Sequence, residues 1–274
     1  MKEIKIVTVV QARTSSSRLP NKVLLSIKGK PLLLRMLERV QASKYAGIII
    51  VATSIDKDDN TIEKLCKENN IEIYRGSLTD LLDRHYQVAK LYNADAIVKI
   101  PSDCPLIDSK IIDKVIKHFL DNLDKYDYVS NLHPATYPDG NDVEVMSFKT
   151  IETAWKEATK DFEREHTTPY IWENKNKFRI GNVEWETGLD YSTIHRWTID
   201  YEEDYLFIKA VYEELYKANP KFGLNDILNL LKEKSYIYKI NEKYLGKYWY
   251  ENHLDELKNI SEYKQKRESN NNDK

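Results

Sequence analysis

Two arginines, three consecutive serines and a lysine crowd into the stretch Gln11 to Lys22, QARTSSSRLPNK. Small residues such as Ala12, Ser15 and Ser16 leave backbone N–H groups open, and Arg13, Arg18 and Lys22 bring three cationic heads to the same turn. Polyphosphate binding is the chemistry this suits best. A solvated basic loop is the alternative if the turn stood alone. In IPSDCPLID, Asp103 sits in a stiff turn between Pro101 and Pro105. It is a natural ligand for Mg²⁺, which takes one or two carboxylates together with phosphate oxygens, or else a cap for the next helix. In RWTIDYEEDY, Asp200 is either a second carboxylate for the same cation or a helix cap. Gly76, in RGSLTDLLDR, permits close approach of a base or ribose, while Asp83 and Arg84 beside it read as a surface salt bridge. His166, in EREHTTPY, is the one histidine worth testing, with a surface cluster at a helix start as the equal alternative.

Other chemistries find no support. No HExxH or HxxxH spacing and no Cys/His zinc pattern occurs, and both GxGxxG and GxxxxGK[ST] are missing. Cys104 lacks a thiol-nucleophile signature, so packing is its expected role. A net charge of -2 carries no basic field for nucleic acid, and no apolar run reaches membrane-spanning length. The amino terminus runs straight into a strand without a leader pattern, and Cys66 and Cys104 are distant in sequence. A cytoplasmic protein with reduced thiols is expected, with neither membrane nor nucleic acid as partner.

The elements that must position these residues alternate. Ile4 to Val10 reads as a buried parallel strand, followed by a helix opened by Pro31 that buries Leu33, Met36, Leu37 and Val40. Further strands are expected at Ile48 to Val51, Ile71 to Tyr74, Ala96 to Ile100 and from Tyr128. Helices are expected over Asp58 to Asn69, after a cap at Ser77 or Thr79, and over Ile111 to Leu120. This rhythm predicts a Rossmann-like α/β fold, a mostly parallel sheet with helices on both faces. The loop then leaves the carboxyl edge of the first strand, where ligands bind in such sheets. From Asn131 the rhythm changes. A strand at DVEVMSF, helices over Thr150 to Thr159 and Arg164 to Trp172, a strand over Phe178 to Glu186 and strand character at Trp197 and Ile199 precede a helix over Tyr201 to Tyr216. Residues 1–234 are expected to form one domain with a small α+β insertion at 131–190, and 235–274 a helical, partly disordered tail.

Taken in order, QARTSSSRLPNKVL, RGSLTDLLDRHYQVAK, KIPSDCPLID, YPDGNDVEV, EREHTTPYI and RWTIDYEEDY resemble the linked motifs of CMP-sugar synthetases, especially the spore-coat polysaccharide branch typified by SpsF. The resemblance covers about Ile4 to Tyr216. It implies a sheet related to GT-A glycosyltransferases and transfer of CMP from CTP to an acidic sugar, with Mg²⁺ and release of pyrophosphate, for cell-surface polysaccharide. Arg13, Arg18 and Lys22 fall on the family's triphosphate positions, and Asp103 and Asp200 on its two metal carboxylates. Tyr137, Asp142 and Glu144, with His166, fall in the part that faces the sugar or the partner of a homodimer. Thr14-Ser15 and Asn21 stand where glycine is frequent, and Lys99 where arginine is common, which keeps the charge and loses the fork. The alternatives are a GT-A-type glycosyltransferase, against which the lack of a DxD motif counts, and a nucleotide-binding module without catalysis.

Overall fold

The computed structural model describes residues 3–247 and Leu257. The chain opens with β1 (Ile6–Gln11), a two-residue hairpin of β2 (Ser26–Ile27) and β3 (Lys30–Pro31), and α1 (Leu32–Gln41). It continues through β4 (Ile48–Ser54), α2 (Asn60–Glu68), β5 (Glu72–Gly76), α3 (Leu81–Leu91), β6 (Ala96–Pro101) and α4 (Ser109–Leu120). Then come β7 (Tyr128–Ser130), β8 (Glu144–Ser147), α5 (Phe148–Glu157), α6 (Asp161–His166), α7 (Pro169–Glu173) and β9 (Ile180–Asn182). Helices α8 (Glu202–Leu215), α9 (Leu224–Glu233) and α10 (Ser235–Tyr238) follow.

Seven strands form one sheet in the order β5-β4-β1-β6-β8-β7-β9. Pairings within β5-β4-β1-β6 and between β7 and β9 are parallel, and β8 runs antiparallel to both neighbours. Alternation along β1 divides the core. Ile6 and Val10 pack with Leu33, Met36, Ile112 and Ile208, while Val7 and Val9 pack with Leu82, Tyr86, Ile151 and Trp172. Helices therefore cover both faces, as expected of the α/β class. The segment 131–190 supplies β8 and β9 to this same sheet. Of the expected tail, Ile237 is buried in the first core; residues 248–274, apart from Leu257, lie outside the described residues.

Several local expectations change. The helix expected over Arg164 to Trp172 is two helices, because Thr167 takes φ +73° and Pro169 cannot donate to a continuing helix. The strand expected over Phe178 to Glu186 shortens to Ile180–Asn182. Trp197 and Ile199 are buried but not in a named strand; their segment meets residue 139 through a single bridge, with Trp197 N–H donating to the Asp139 carbonyl at 2.8 Å. The cap of α3 is Asp80, whose carboxylate accepts from the Asp83 N–H, while Ser77 Oγ accepts from the Asp80 N–H one turn earlier.

Gly140 sets this crossing. Its φ is +101°, and an added Cβ would lie 2.7 Å from the Trp197 carbonyl carbon and 2.8 Å from the Thr198 nitrogen, both backbone. Gly140→Ala is expected to destabilise the chain by about 1–3 kcal/mol, the usual cost of one strained backbone position. A thermal melt unchanged from wild type would contradict that reading of the crossing.

Candidate active site

The loop after β1 is pinned at its root. Thr14 donates through both its N–H and Oγ1 to Asp59 Oδ1, each at 2.7 Å, and Ser54 Oγ donates to Asp59 Oδ2 at 2.5 Å. Asp59 is buried; burial would raise its pKa, but the Ser54 and Thr14 donors outweigh that and lower it. Asn21 takes φ +57°, a conformation that asparagine tolerates and that accounts for the glycine frequent there in the resembling family. Thr14 and Ser15 have no positive φ, so serine in place of glycine costs the backbone nothing. A short 3₁₀ turn, Lys22–Leu24, then begins with Lys22 aimed inward.

Lys22 joins the two remote aspartates. Its Nζ lies 3.1 Å from Asp200 Oδ1 and 3.4 Å from Asp103 Oδ2, and donates to the Ile199 carbonyl at 2.7 Å. Burial alone would lower the lysine pKa, but Asp103 and Asp200 outweigh it and raise it. Arg18 Nη2 reaches Asp200 Oδ1 at 2.7 Å. Burial would raise the Asp200 pKa, yet Lys22, Arg18 and Arg196 hold it down at about 2. Arg13 meets Glu165 at 3.6 Å in a half-exposed pair of little energetic weight.

Neither aspartate is a helix cap. Asp108 caps α4 by accepting from the Lys110 N–H, and the Asp204 carboxylate accepts from the N–H groups of Asp200 and Tyr201. The Asp200 side chain is thereby left to its cations. The Asp103 carbonyl accepts from the Ile199 N–H at 2.9 Å and Thr198 Oγ1 at 3.0 Å, which locks the two acidic turns together.

Sequence reasoning gave Arg196 no role, although it lies four residues before Asp200 within the same RWTID motif. It is buried, with Nε and Nη2 on Asp204 at 3.1 and 3.2 Å, Nη2 on Asp200 at 2.9 Å and Nη1 on Asp139 at 3.4 Å. The expected Asp83–Arg84 salt bridge is absent. Adjacent helical residues do not face each other: Asp83 accepts from Gln87 and Trp155, while Arg84 turns inward and donates to the Ala52 carbonyl at 3.1 Å.

A cavity of about 790 Å³ opens at the carboxyl edge of the sheet. Gln11, Ala12, Arg13, Ser16, Arg18, Lys22, Asp103 and Asp200 line it together with Tyr137, Asp142, Glu144 and His166. Ser15 and Gly76 do not line it. Gly76 instead makes room for Arg84, whose Cγ would lie 2.7 Å from a Cβ at that position. Trp172, Trp185 and His133 line the cavity as well, and the His133 ring lies tilted by 35° against Trp172 with ring centroids 4.5 Å apart. Lys99 pairs there with Glu144, which also accepts from the Tyr128 hydroxyl at 2.5 Å. Cys66 and Cys104 are both buried free thiols.

Burial, reinforced by the nearby Asp103, pushes the Asp142 carboxyl up to about 7. An ordinary aspartate titrates near 4 when unfolded. This group therefore contributes stability below about pH 4 that is lost as pH rises towards 7. Without divalent cations, the thermal stability advantage of Asp142→Asn over wild type is expected to grow between pH 5 and pH 8. An equal gap at both values would contradict the assignment.

Among the described residues no helix is long and apolar enough to cross a membrane, and no three His, Cys, Asp or Glu side chains gather to hold a metal by themselves. A mostly parallel sheet whose first loop sets arginine and lysine against two carboxylates defines the α/β nucleotidyltransferase fold. The chain belongs to the cytidylyltransferase family, whose model matches residues 7–255. It is 40% identical over 240 residues to an uncharacterised protein of Methanocaldococcus jannaschii, covering 87% of this chain and 95% of that one. It is 29% identical to the spore coat polysaccharide biosynthesis protein SpsF of Bacillus subtilis, covering 82% and 93%. A solved cytidylyltransferase from Leptospira borgpetersenii superposes with a TM-score of 0.81 at 34% identity, covering 86% and 98%. A shorter match, 32% identical over 43% of this chain and 48% of the relative, is to the 3-deoxy-manno-octulosonate cytidylyltransferase of Chloroherpeton thalassium.

Proposed function

We propose that this chain transfers CMP from CTP to a hydroxyl of an acidic sugar and releases pyrophosphate. The observation that carries the reading is Lys22 lying between Asp103 and Asp200 while Arg18 reaches the same carboxylate from the loop. Such a cluster brings triphosphate-binding cations and hard oxygen ligands to one point. Family membership favours nucleotidyl transfer over glycosyl transfer, and the name of the Chloroherpeton relative supports an acidic sugar as acceptor. Residues Tyr137, Asp142, Glu144 and His166 form the acceptor side in this reading, and cell-surface polysaccharide is the destination suggested by the SpsF likeness. The reading includes a cytoplasmic homodimer paired through 131–186, which sedimentation would test.

The acceptor hydroxyl attacks the α-phosphorus in line, forming the new P–O bond as the bond to the pyrophosphate oxygen breaks and the hydroxyl proton passes to solvent. The protein positions the groups and neutralises charge. Two carboxylates and few other donors suit Mg²⁺, which completes its shell with phosphate oxygens and water. Held by Asp103 and Asp200, it would supply charge neutralisation at the phosphates. Arg18 and Lys22 exchange carboxylate for phosphate as partner when the nucleotide enters, and hold the departing pyrophosphate. Arg13, only loosely tied to Glu165, swings to the same group. Arg196 keeps Asp200 oriented throughout.

A pyrophosphate-release assay crossing the four ribonucleoside triphosphates with acidic sugars tests the proposal. Turnover is expected with CTP and at least one such sugar. CTP binding without turnover across the panel would favour a non-catalytic module.

A further inference from the structure

Beyond α10 the chain returns to the cavity. Asn241 is buried, and its Nδ2 donates to the Arg196 carbonyl at 3.0 Å and to Asp204 Oδ1 at 2.9 Å. A 3₁₀ turn, Glu242–Tyr244, follows, and Gly246 then takes φ +71°. The Lys247 carbonyl accepts from Arg196 Nη1 at 3.0 Å. Both ends of 241–247 are thus fixed on the arginine whose Nη2 meets Asp200 at 2.9 Å. The Lys247 side chain is exposed and lines the cavity.

Between these two anchors Tyr244 stacks on Tyr201, the residue after Asp200, with ring centroids 3.9 Å apart and planes within 3° of parallel. The Tyr244 hydroxyl donates to Glu203 Oε2 at 3.2 Å. Arg18 Cζ lies 5.5 Å from the Tyr201 centroid, and Lys247 Nζ lies 5.1 Å from that of Tyr244. One aromatic pair therefore gathers a cation of the first loop and a cation of this distant segment. Exposed cation–π contacts are weak, and they do not offset bringing like charges together. Arg13, Arg18, Lys22, Lys99 and Arg196 also line the cavity, and each is paired with a carboxylate. Lys247 has no carboxylate partner among the described residues. The anion that the reaction brings to Arg18 is the part of the triphosphate that leaves as pyrophosphate.

We propose that Lys247 is a further substrate-binding residue, donating to the β- or γ-phosphate of the nucleotide and then to the departing pyrophosphate, with the Tyr201–Tyr244 stack positioning it beside Arg18. The proposal rests on the CTP-dependent reading above. A lysine ammonium acts on phosphate as a point charge and needs no fixed approach. The anchors on Arg196 hold the backbone of the segment while the side chain follows the phosphate.

The test is calorimetric titration of the full chain with CTP and with CMP, each with Mg²⁺ at one ionic strength, in wild type, Lys247→Gln, Lys247→Arg, Tyr244→Leu and Tyr244→Phe. CMP lacks both phosphates assigned to Lys247. Lys247→Gln is expected to weaken CTP binding about tenfold, the scale of one charged hydrogen bond, and CMP binding by less than about twofold. Lys247→Arg, which keeps the charge, should restore most of the CTP affinity. Tyr244→Leu should weaken CTP and spare CMP, while Tyr244→Phe, which keeps the stacked ring, should not weaken CTP. The tie of Lys247 to Arg196 runs through its carbonyl, so its replacements should melt with wild type. An unchanged CTP affinity in Lys247→Gln or Tyr244→Leu overturns the proposal. An equal loss for CTP and CMP, the pattern of a purely structural role, overturns it as well. Wild type that binds neither nucleotide would remove the CTP-dependent reading and this proposal with it.

Discussion

Asp103→Asn should abolish CMP transfer while the chain stays folded. The substitution keeps the size of the side chain and removes its charge. The contacts that hold the turn run through the backbone, from Ile199 N–H and Thr198 Oγ1 to the Asp103 carbonyl, and survive. What is lost is one of two carboxylates facing Lys22. Removing a single preorganised donor from an oxyanion hole costs roughly 10²–10³ in turnover. A carboxylate that also binds the metal should cost at least as much. The measurement is the initial rate of pyrophosphate release, paired with a thermal melt. Near-wild-type turnover by a folded Asp103→Asn protein would remove this residue from the chemistry.

Arg196→Met should produce the largest loss of stability. The guanidinium is buried among Asp139, Asp200 and Asp204, and it donates to the Lys247 carbonyl as well. Methionine fills part of the volume and leaves three carboxylates without their common cation. Breaking a buried pair from one side costs about 3–5 kcal/mol. For a chain of this size that corresponds to a melting temperature lower by roughly 10 °C. Because the defect is uncompensated negative charge, lowering the pH should restore part of the loss as the carboxylates take up protons. A loss independent of pH would mean that packing, not charge, is what Arg196 supplies. Activity should fall with stability, since Asp200 loses the contact that orients it.

The alternation of buried strands and one-sided helices made the sheet legible as far as β6, because each element there satisfies a local pattern. After Asn131 local pattern gives way to tertiary context. The Trp197–Ile199 segment has strand composition, yet it pairs with residue 139 through one bridge only. Thr167 ends a helix that the spacing of apolar residues would continue. The site was legible in its charges, since Arg13, Arg18, Lys22, Asp103 and Asp200 do line one cavity. Its supports were not. Asp59 holds the loop by accepting from Thr14, 45 residues away in sequence, a relation no local spacing announces. Arg84 carried a misleading signal, because an aspartate directly before an arginine suggests a pair that helix geometry forbids. Asp204 resembled an ordinary acidic residue in a first helical turn, yet it is fully buried beneath Arg196.

The most direct test is a crystal structure with CTP and Mn²⁺ in place of Mg²⁺, located by its anomalous signal. The account predicts one metal peak bonded to both Asp103 and Asp200, with the triphosphate against Arg13, Arg18 and Lys22. A triphosphate bound away from the loop after β1, or a metal that contacts neither aspartate, would contradict it.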